Sequence, residues 1–212
     1  MGRPVGGRGI SLATAGSHPA LPSLPATLPL ETLGEAGFFR IAKAKYGAGE
    51  PAFRTSALYR FDDPHQTFGT LYCARDFKTC FLETLIRNHA DLRIAKAEFD
   101  SRALVFLLLD TSRLKLVPIH GDHATRMRLD HAHLVGENYH YTQALAKLFH
   151  DHPDQPHGLI YRSRFDAATL AVVLFARASA LVRKFPGSSH VEFKDAPELC
   201  DAVRNTIAYT VV

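Results

Sequence analysis

From residue 37 onward the apolar positions follow two periods. Short runs rich in β-branched and aromatic residues, "FFRIA", "ALYRF", "TLYCA", "ALVFLLLD", "LKLVPI", "GLIYRS", "LAVVLFA", "HVEFK" and "TIAYTVV", predict strands. Between them, segments 76–90, 121–133, 138–150 and 196–203 carry helical spacing. The strands come in clusters rather than in strict alternation with helices, which predicts an α+β fold built on one core. The helix after "TLYCA" has a natural start at Asp76, whose carboxylate can accept from the first free backbone amides. Phe77, Phe81 and Leu85 then recur on one face, widened by Cys80, Leu82 and Ile86. Glu83 falls on the flank of that face beside Thr79 and Arg87, where the ordinary expectation is an ion pair with Arg87 worth about 0.3 kcal/mol.

The first 36 residues are different. They are rich in Gly, Pro, Ser and Ala, and their only charges are Arg3, Arg8, Glu31 and Glu35. A poorly ordered arm over 1–36, with one helical turn near 30–35, is expected ahead of a single domain over 37–212. Prolines at 19, 22, 25 and 29 interrupt each apolar run, and Gly6 stands where an acylation signal needs Ser or Thr. The longest apolar run, 103–109, is far too short to cross a bilayer, so a soluble chain without membrane contact is expected. Cys73, Cys80 and Cys200 are odd in number and match no zinc or redox spacing, which suits a reducing, cytoplasmic setting.

Charge adds little direction. The formal net charge is +4, with a pI near 9.0. Segments 87–102 and 110–130 each hold four basic and three acidic residues, which describes a mixed, solvated surface rather than a nucleic-acid footprint. A basic nucleic-acid-binding module without catalysis is the competing class, supported by Tyr139, Tyr141 and Tyr161 near arginines; its affinity would fall steeply with salt. Eight of the twelve histidines lie within 120–157, but "HGDH", "HAH" and "HDH" form no HExxH and no cysteine joins them. Solvated histidines and no metal are expected there; a metallohydrolase would instead lose its activity to a chelator.

Four residues interrupt otherwise apolar strands: Arg40, Arg60, Tyr72 and Ser163. Each has an ordinary role, the arginines snorkelling to water, Tyr72 in the core and Ser163 opening a turn. Tyr59 and Phe61 flank Arg60 and, by strand alternation, point to the opposite face as packing residues. Taken together with Glu83, eleven residues after Tyr72, the order resembles the RES domain, the toxin half of a bacterial toxin–antitoxin pair named for its Arg, Glu and Ser. The matching segments are "FFRIA", "LYRFDDPHQTFGTLYCARDFKTCFLETLIRN", "LLLDTS", "ENYHYTQALAKLFHD" and "HGLIYRSRFD", spanning roughly residues 38–176.

The resemblance implies an ADP-ribosyltransferase-like fold, with mixed sheets and flanking helices, and an enzyme that breaks the nicotinamide–ribose bond of NAD. Water or phosphate would be the acceptor, giving a glycohydrolase or phosphorylase, and the alternative is mono-ADP-ribosylation of a protein. It also implies the roles: Glu83 as catalytic carboxylate, Arg60 and Arg40 as phosphate clamps, Tyr72 as the ring platform with its hydroxyl free to hydrogen-bond, and Ser163 as a polar contact. NAD would be a substrate, with inorganic phosphate a co-substrate and no cofactor required. The implied partner is a helix-turn-helix, Xre-type antitoxin whose end segment plugs the NAD cleft, leaving DNA contact to that partner. An apolar helix such as "YTQALAKLF" could serve that interface, a homodimer or the core. If these roles hold, Glu83 faces a cleft beside Tyr72 and not the solvent.

Overall fold

A computed structural model describes residues 20–34, 37–86, 91–187 and 190–212. In chain order these form β1 (Gly37–Lys43), β2 (Thr70–Ala74), α1 (Phe77–Leu85), β3 (Arg93–Ile94), α2 (Lys96–Asp100), β4 (Arg102–Leu109), β5 (Leu116–Pro118), α3 (Gly121–Arg126), α4 (His131–Val135), α5 (His140–His150), β6 (Gly158–Arg162), β7 (Leu170–Phe175), β8 (Val182–Lys184), β9 (Val191–Glu192), α6 (Asp201–Ile207) and β10 (Thr210–Val211). Three 3-10 segments, Ala44–Gly49, Ala176–Leu181 and Pro197–Cys200, join them. This is the expected α+β class, with mixed sheets and flanking helices.

The main sheet runs β5-β6-β7-β2-β1-β4-β8, with β9 also paired to β4. β5 and β6 are parallel and the other pairs antiparallel, while β3 and β10 form a separate parallel pair. The sheet is split at its centre. β1 pairs with β4 along all of Gly37–Lys43, and β2 pairs with β7 along all of Thr70–Ala74, but β1 meets β2 at a single register pair, Phe39 with Ala74. Beyond that point the two strands part, and a wedge opens that side chains must line.

Alternation along the strands feeds two cores, one on each face. One contains Phe38, Leu71, Val105, Leu107, Leu116 and Leu174; the other joins Phe81, Leu82 and Ile86 of the α1 segment to Leu145 and Phe149 of α5 and to Phe193 and Tyr209. α1 is capped as expected, Asp76 accepting from the Thr79 N–H at 2.7 Å. Tyr141, Leu145, Ala146 and Phe149 of "YTQALAKLF" are all buried, so that apolar face is core. Arg87, the expected partner of Glu83, lies outside the described residues.

Several local expectations are corrected. "ALYRF" forms turns rather than a strand, because the Asp62 side chain accepts from the Leu58 and Tyr59 N–H groups and folds the segment back on itself. The segment expected as one helix over 121–133 breaks into α3 and α4, with Arg128 at φ 56° between them. In "TIAYTVV" only Thr210–Val211 is strand, since α6 runs on to Ile207 and ends at Ala208 in the left-handed region. Of the expected arm, residues 1–19 lie outside the described residues. Residues 20–34 lie against the sheet edge, where Glu31 bridges Leu116 in place of a helical turn, and Leu28 is buried.

Gly158 opens β6 because nothing larger fits: an added Cβ would lie 2.1 Å from the Val173 carbonyl oxygen and 2.9 Å from the Leu174 Cα. Backbone cannot yield there without parting β6 from β7. Gly158→Ala is therefore expected to cost roughly 3 kcal/mol or more, and Gly34→Ala, where nothing lies within 4 Å, under about 0.5 kcal/mol. Urea unfolding of both variants checks the difference.

Candidate active site

The wedge between β1 and β2 is a cavity of about 520 Å³, within the range of small-molecule sites. Four chain segments meet around it. β1 brings Arg40, the loop before β2 brings Arg54, Tyr59 and Arg60, β2 and α1 bring Tyr72 and Glu83, and the later chain brings Tyr139, Tyr161 and Arg164.

Glu83 is reached by its position on the flank of α1, next to the apolar face that anchors the helix. Its Oε1 accepts from the Ser163 hydroxyl at 2.6 Å and from the Arg164 N–H at 3.2 Å. Ser163 is itself buried, and its oxygen also accepts from the N–H groups of Phe165 and Asp166, so the hydroxyl proton has one direction to point. Oε2 of Glu83 accepts no hydrogen bond from the described residues. One oxygen is thus fixed while the carboxylate faces the cavity that Tyr72 and Arg60 also line.

Arg60 is 5% exposed and no carboxylate pairs with it among the described residues. Its guanidinium donates to the carbonyls of Leu134 and Arg162, each at 3.3 Å, and lies 4.4 Å from the Tyr161 ring centroid. A buried cation satisfied by neutral groups alone keeps its charge uncompensated, which makes the cavity favourable for an anion. Arg40 is handled differently. Its Nε donates to Glu50 Oε2 at 3.0 Å and its Nη1 to the Tyr72 carbonyl at 3.0 Å, so it spans the split between β1 and β2.

The Tyr72 hydroxyl hydrogen-bonds within the protein: it donates to Asp62 Oδ1 at 3.0 Å and accepts from the Phe61 N–H at 2.9 Å. What it offers the cavity is its ring, which Tyr59 meets edge-on at 5.9 Å. Burial, and then the Asp62 carboxylate, push the Tyr72 phenol well above its ordinary range. Burial, and then the charge of Glu83, do the same for Tyr161. Cys73 is pushed up to about 12 by burial, and Cys80 rises for the same reason, so both thiols stay protonated and neither is a nucleophile. Among the lining residues Arg40, Lys43, Arg54, Arg60, Arg102 and Arg164 are cationic, against the single carboxylate of Glu83. Such a site suits a phosphate-bearing ligand with one centre of developing positive charge.

The RES domain model matches this sequence over residues 38–195, which takes in Arg40, Arg60, Tyr72, Glu83 and Ser163. The chain belongs to the RES domain family. In fold this RES domain is similar to a chain in the crystal structure of the M. tuberculosis MbcT-MbcA toxin-antitoxin complex, with a TM-score of 0.56 over 83% of this chain and 92% of that one, at 14% identity. Comparison with curated proteins returns no match.

The RES domain places Arg40, Arg60, Tyr72 and Glu83 on one cavity, with Ser163 behind Glu83 as its hydrogen-bond donor. Sequence reasoning missed Glu50, Arg54, Tyr46, Asp62 and Arg164. Of these only Asp62 left a signal, as an acid inside the apolar run "LYRFDD"; the others owe their place to contacts between distant segments. Tyr59 lines the cavity while Phe61 is 1% exposed, a separation set by the turn and not by strand alternation. Tyr139 and Tyr161, which suggested nucleic acid, are cavity wall, and Tyr141 is core. Among the described residues no group of three or more His, Cys, Asp or Glu could hold a metal ion, and no helix is long and apolar enough to cross a membrane.

Asp62 holds this geometry, accepting from Ser56, Leu58, Tyr59, Thr70 and Tyr72 while 1% exposed. Asp62→Ala strands several buried donors at once and is expected to cost roughly 3–5 kcal/mol. Guanidinium unfolding measures that loss.

Proposed function

We propose that this RES domain is the toxin of a bacterial toxin–antitoxin pair and that it cleaves the nicotinamide–ribose bond of NAD. The observation that carries the reading is a carboxylate fixed at one oxygen by Ser163 and the Arg164 N–H, in a cavity whose other charges are cationic. Nicotinamide departs neutral, taking the electron pair of the C–N bond, so the leaving group needs no acid. Positive charge develops on the ribose instead, and a carboxylate there is worth most in the transition state. Glu83 is that group. Its Oε1 is held by Ser163, and Oε2 is left for the sugar or for the attacking acceptor. Water then yields ADP-ribose and a proton, and phosphate yields ADP-ribose 1-phosphate. Arg60 and Arg40 hold the pyrophosphate, and the Tyr72 ring packs against the nicotinamide.

Three buried, unpaired cysteines suit a reducing cytoplasm. A protein that removes NAD needs restraint in its own cell, and the likeness in fold to a chain of a toxin-antitoxin complex supports an antitoxin partner, of helix-turn-helix type by family resemblance.

Purified protein is expected to consume NAD, and Glu83→Gln to lower the rate by about 10²–10³-fold, since one stabilising charge is lost. Product identification with and without inorganic phosphate names the acceptor, and ADP-ribose appearing on a protein instead names a transferase. Full activity in Glu83→Gln would remove the mechanism. No NAD consumption with any of these acceptors would remove the reading. Ser163→Ala, which frees the carboxylate but leaves its charge, is expected to lower kcat by about tenfold with KM for NAD little changed.

A further inference from the structure

Through Arg40, a chain of contacts joins the cavity to Arg54 and Tyr46, two lining residues that the chemistry at Glu83 does not use. Glu50 organises this chain. The side chain of Glu50 is 0% exposed and accepts from Arg40 Nε at 3.0 Å, from the Ala52 N–H at 2.9 Å and from Arg54 Nη2 at 2.9 Å. A buried carboxylate is tolerable only with such a set of donors, so Glu50 fixes both guanidinium groups. Two cations sharing one anion leave a positive charge over. The anchored Arg54 guanidinium lies 4.3 Å from the ring centroid of Tyr46, in the segment Ala44–Gly49. Tyr46 lines the cavity, is 43% exposed and joins neither hydrophobic core.

Tyr46 is a flat surface that folding does not consume. Lys45 also approaches it, with Nζ 4.8 Å from the centroid, but on an exposed side chain that a planar ligand displaces. A ring backed by a fixed guanidinium, beside surplus positive charge, matches a nucleotide: the base on the platform, the phosphates on Arg40 and Arg54. We infer that Tyr46 and Arg54, positioned by Glu50, form a subsite for the purine nucleotide end of the substrate, so that a dinucleotide lies along the cavity from Tyr46 to Glu83. The inference rests on the NAD reading but is tested apart from it. Tyr46 and Arg54 set affinity and substrate length, and take no part in bond breaking.

Calorimetric titration of the full chain with ADP, and with inorganic pyrophosphate as the base-free probe, decides it. ADP is expected to bind more tightly than pyrophosphate, and Tyr46→Ala to weaken ADP about tenfold, the loss of one base-stacking contact. Tyr46→Phe keeps the ring and is expected to stay within about twofold of the parent for ADP. Pyrophosphate binding should not respond to Tyr46→Ala. ADP binding no tighter than pyrophosphate, ADP binding indifferent to Tyr46→Ala, or equal weakening of both ligands would each overturn the subsite. NAD consumption by the parent protein is measured separately. Its absence would overturn the reaction, while the ADP titration still decides whether the purine subsite exists.

Discussion

A single buried carboxylate, Asp62, turns an irregular loop into a rigid wall. Residues 54–69 contain no strand or helix, yet they carry Arg60 and Tyr59 into the cavity. A loop of that kind would ordinarily sample many arrangements. Here Asp62 accepts from Ser56, Leu58 and Tyr59, which precede it in the loop, and from Thr70 and Tyr72 of β2, which couples the loop to the centre of the sheet. The position of Arg60 and the setting of the Tyr72 ring therefore depend on the same two oxygens. The cost of taking a charge out of water is offset by the number of donors it collects.

The same economy of carboxylates shapes the rest of the cavity. Glu50 serves Arg40 and Arg54, and Glu98 serves Lys43 and Arg102. Each of these acids supports two cations, and among the described residues Arg60 has no acidic partner. The wall is held together by ion pairs, yet it keeps a positive surplus toward the interior. Phenol, thiol, hydroxyl and apolar side chains line the rest, and among the described residues Glu83 is the only carboxylate lining the cavity. A charge of one sign among several of the other is easily misread as structural. What separates Glu83 from the bridging acids is that its donors, a hydroxyl and a backbone N–H, carry no charge.

The class of fold and most of its elements were legible because they depend on local pattern. Strands β1, β2, β4, β6 and β7 fall within runs of apolar, β-branched residues, and α1 begins at its capping acid. "ALYRF" read as a strand for the same reason, and failed because a nearby side-chain acceptor, Asp62, captured its backbone N–H groups and outweighed strand propensity. Arg40, Arg60, Tyr72, Glu83 and Ser163 were recognisable as polar interruptions and by family resemblance. Their grouping was expected through that resemblance alone, because no local pattern announces that β1 and β2 part after one register pair. Glu50 and Arg54 were invisible for a related reason: a charged residue in a loop looks solvated until the fold buries it, as it does Glu50, or ties it to a buried group, as it does Arg54.

The donors that fix Glu83 lie 80 and 81 residues beyond it in the chain. β2, which neighbours α1, likewise takes its full-length partner from β7, far downstream. During synthesis Glu83 therefore leaves the ribosome well before the residues that orient it, and the cavity has no far wall until β6 and β7 have folded back onto β2. Whatever this cavity does begins only when the chain through β7 has emerged, roughly several seconds later at ordinary elongation rates. Under the proposed NAD cleavage, that interval is one in which a restraining partner can engage a chain that is still inactive.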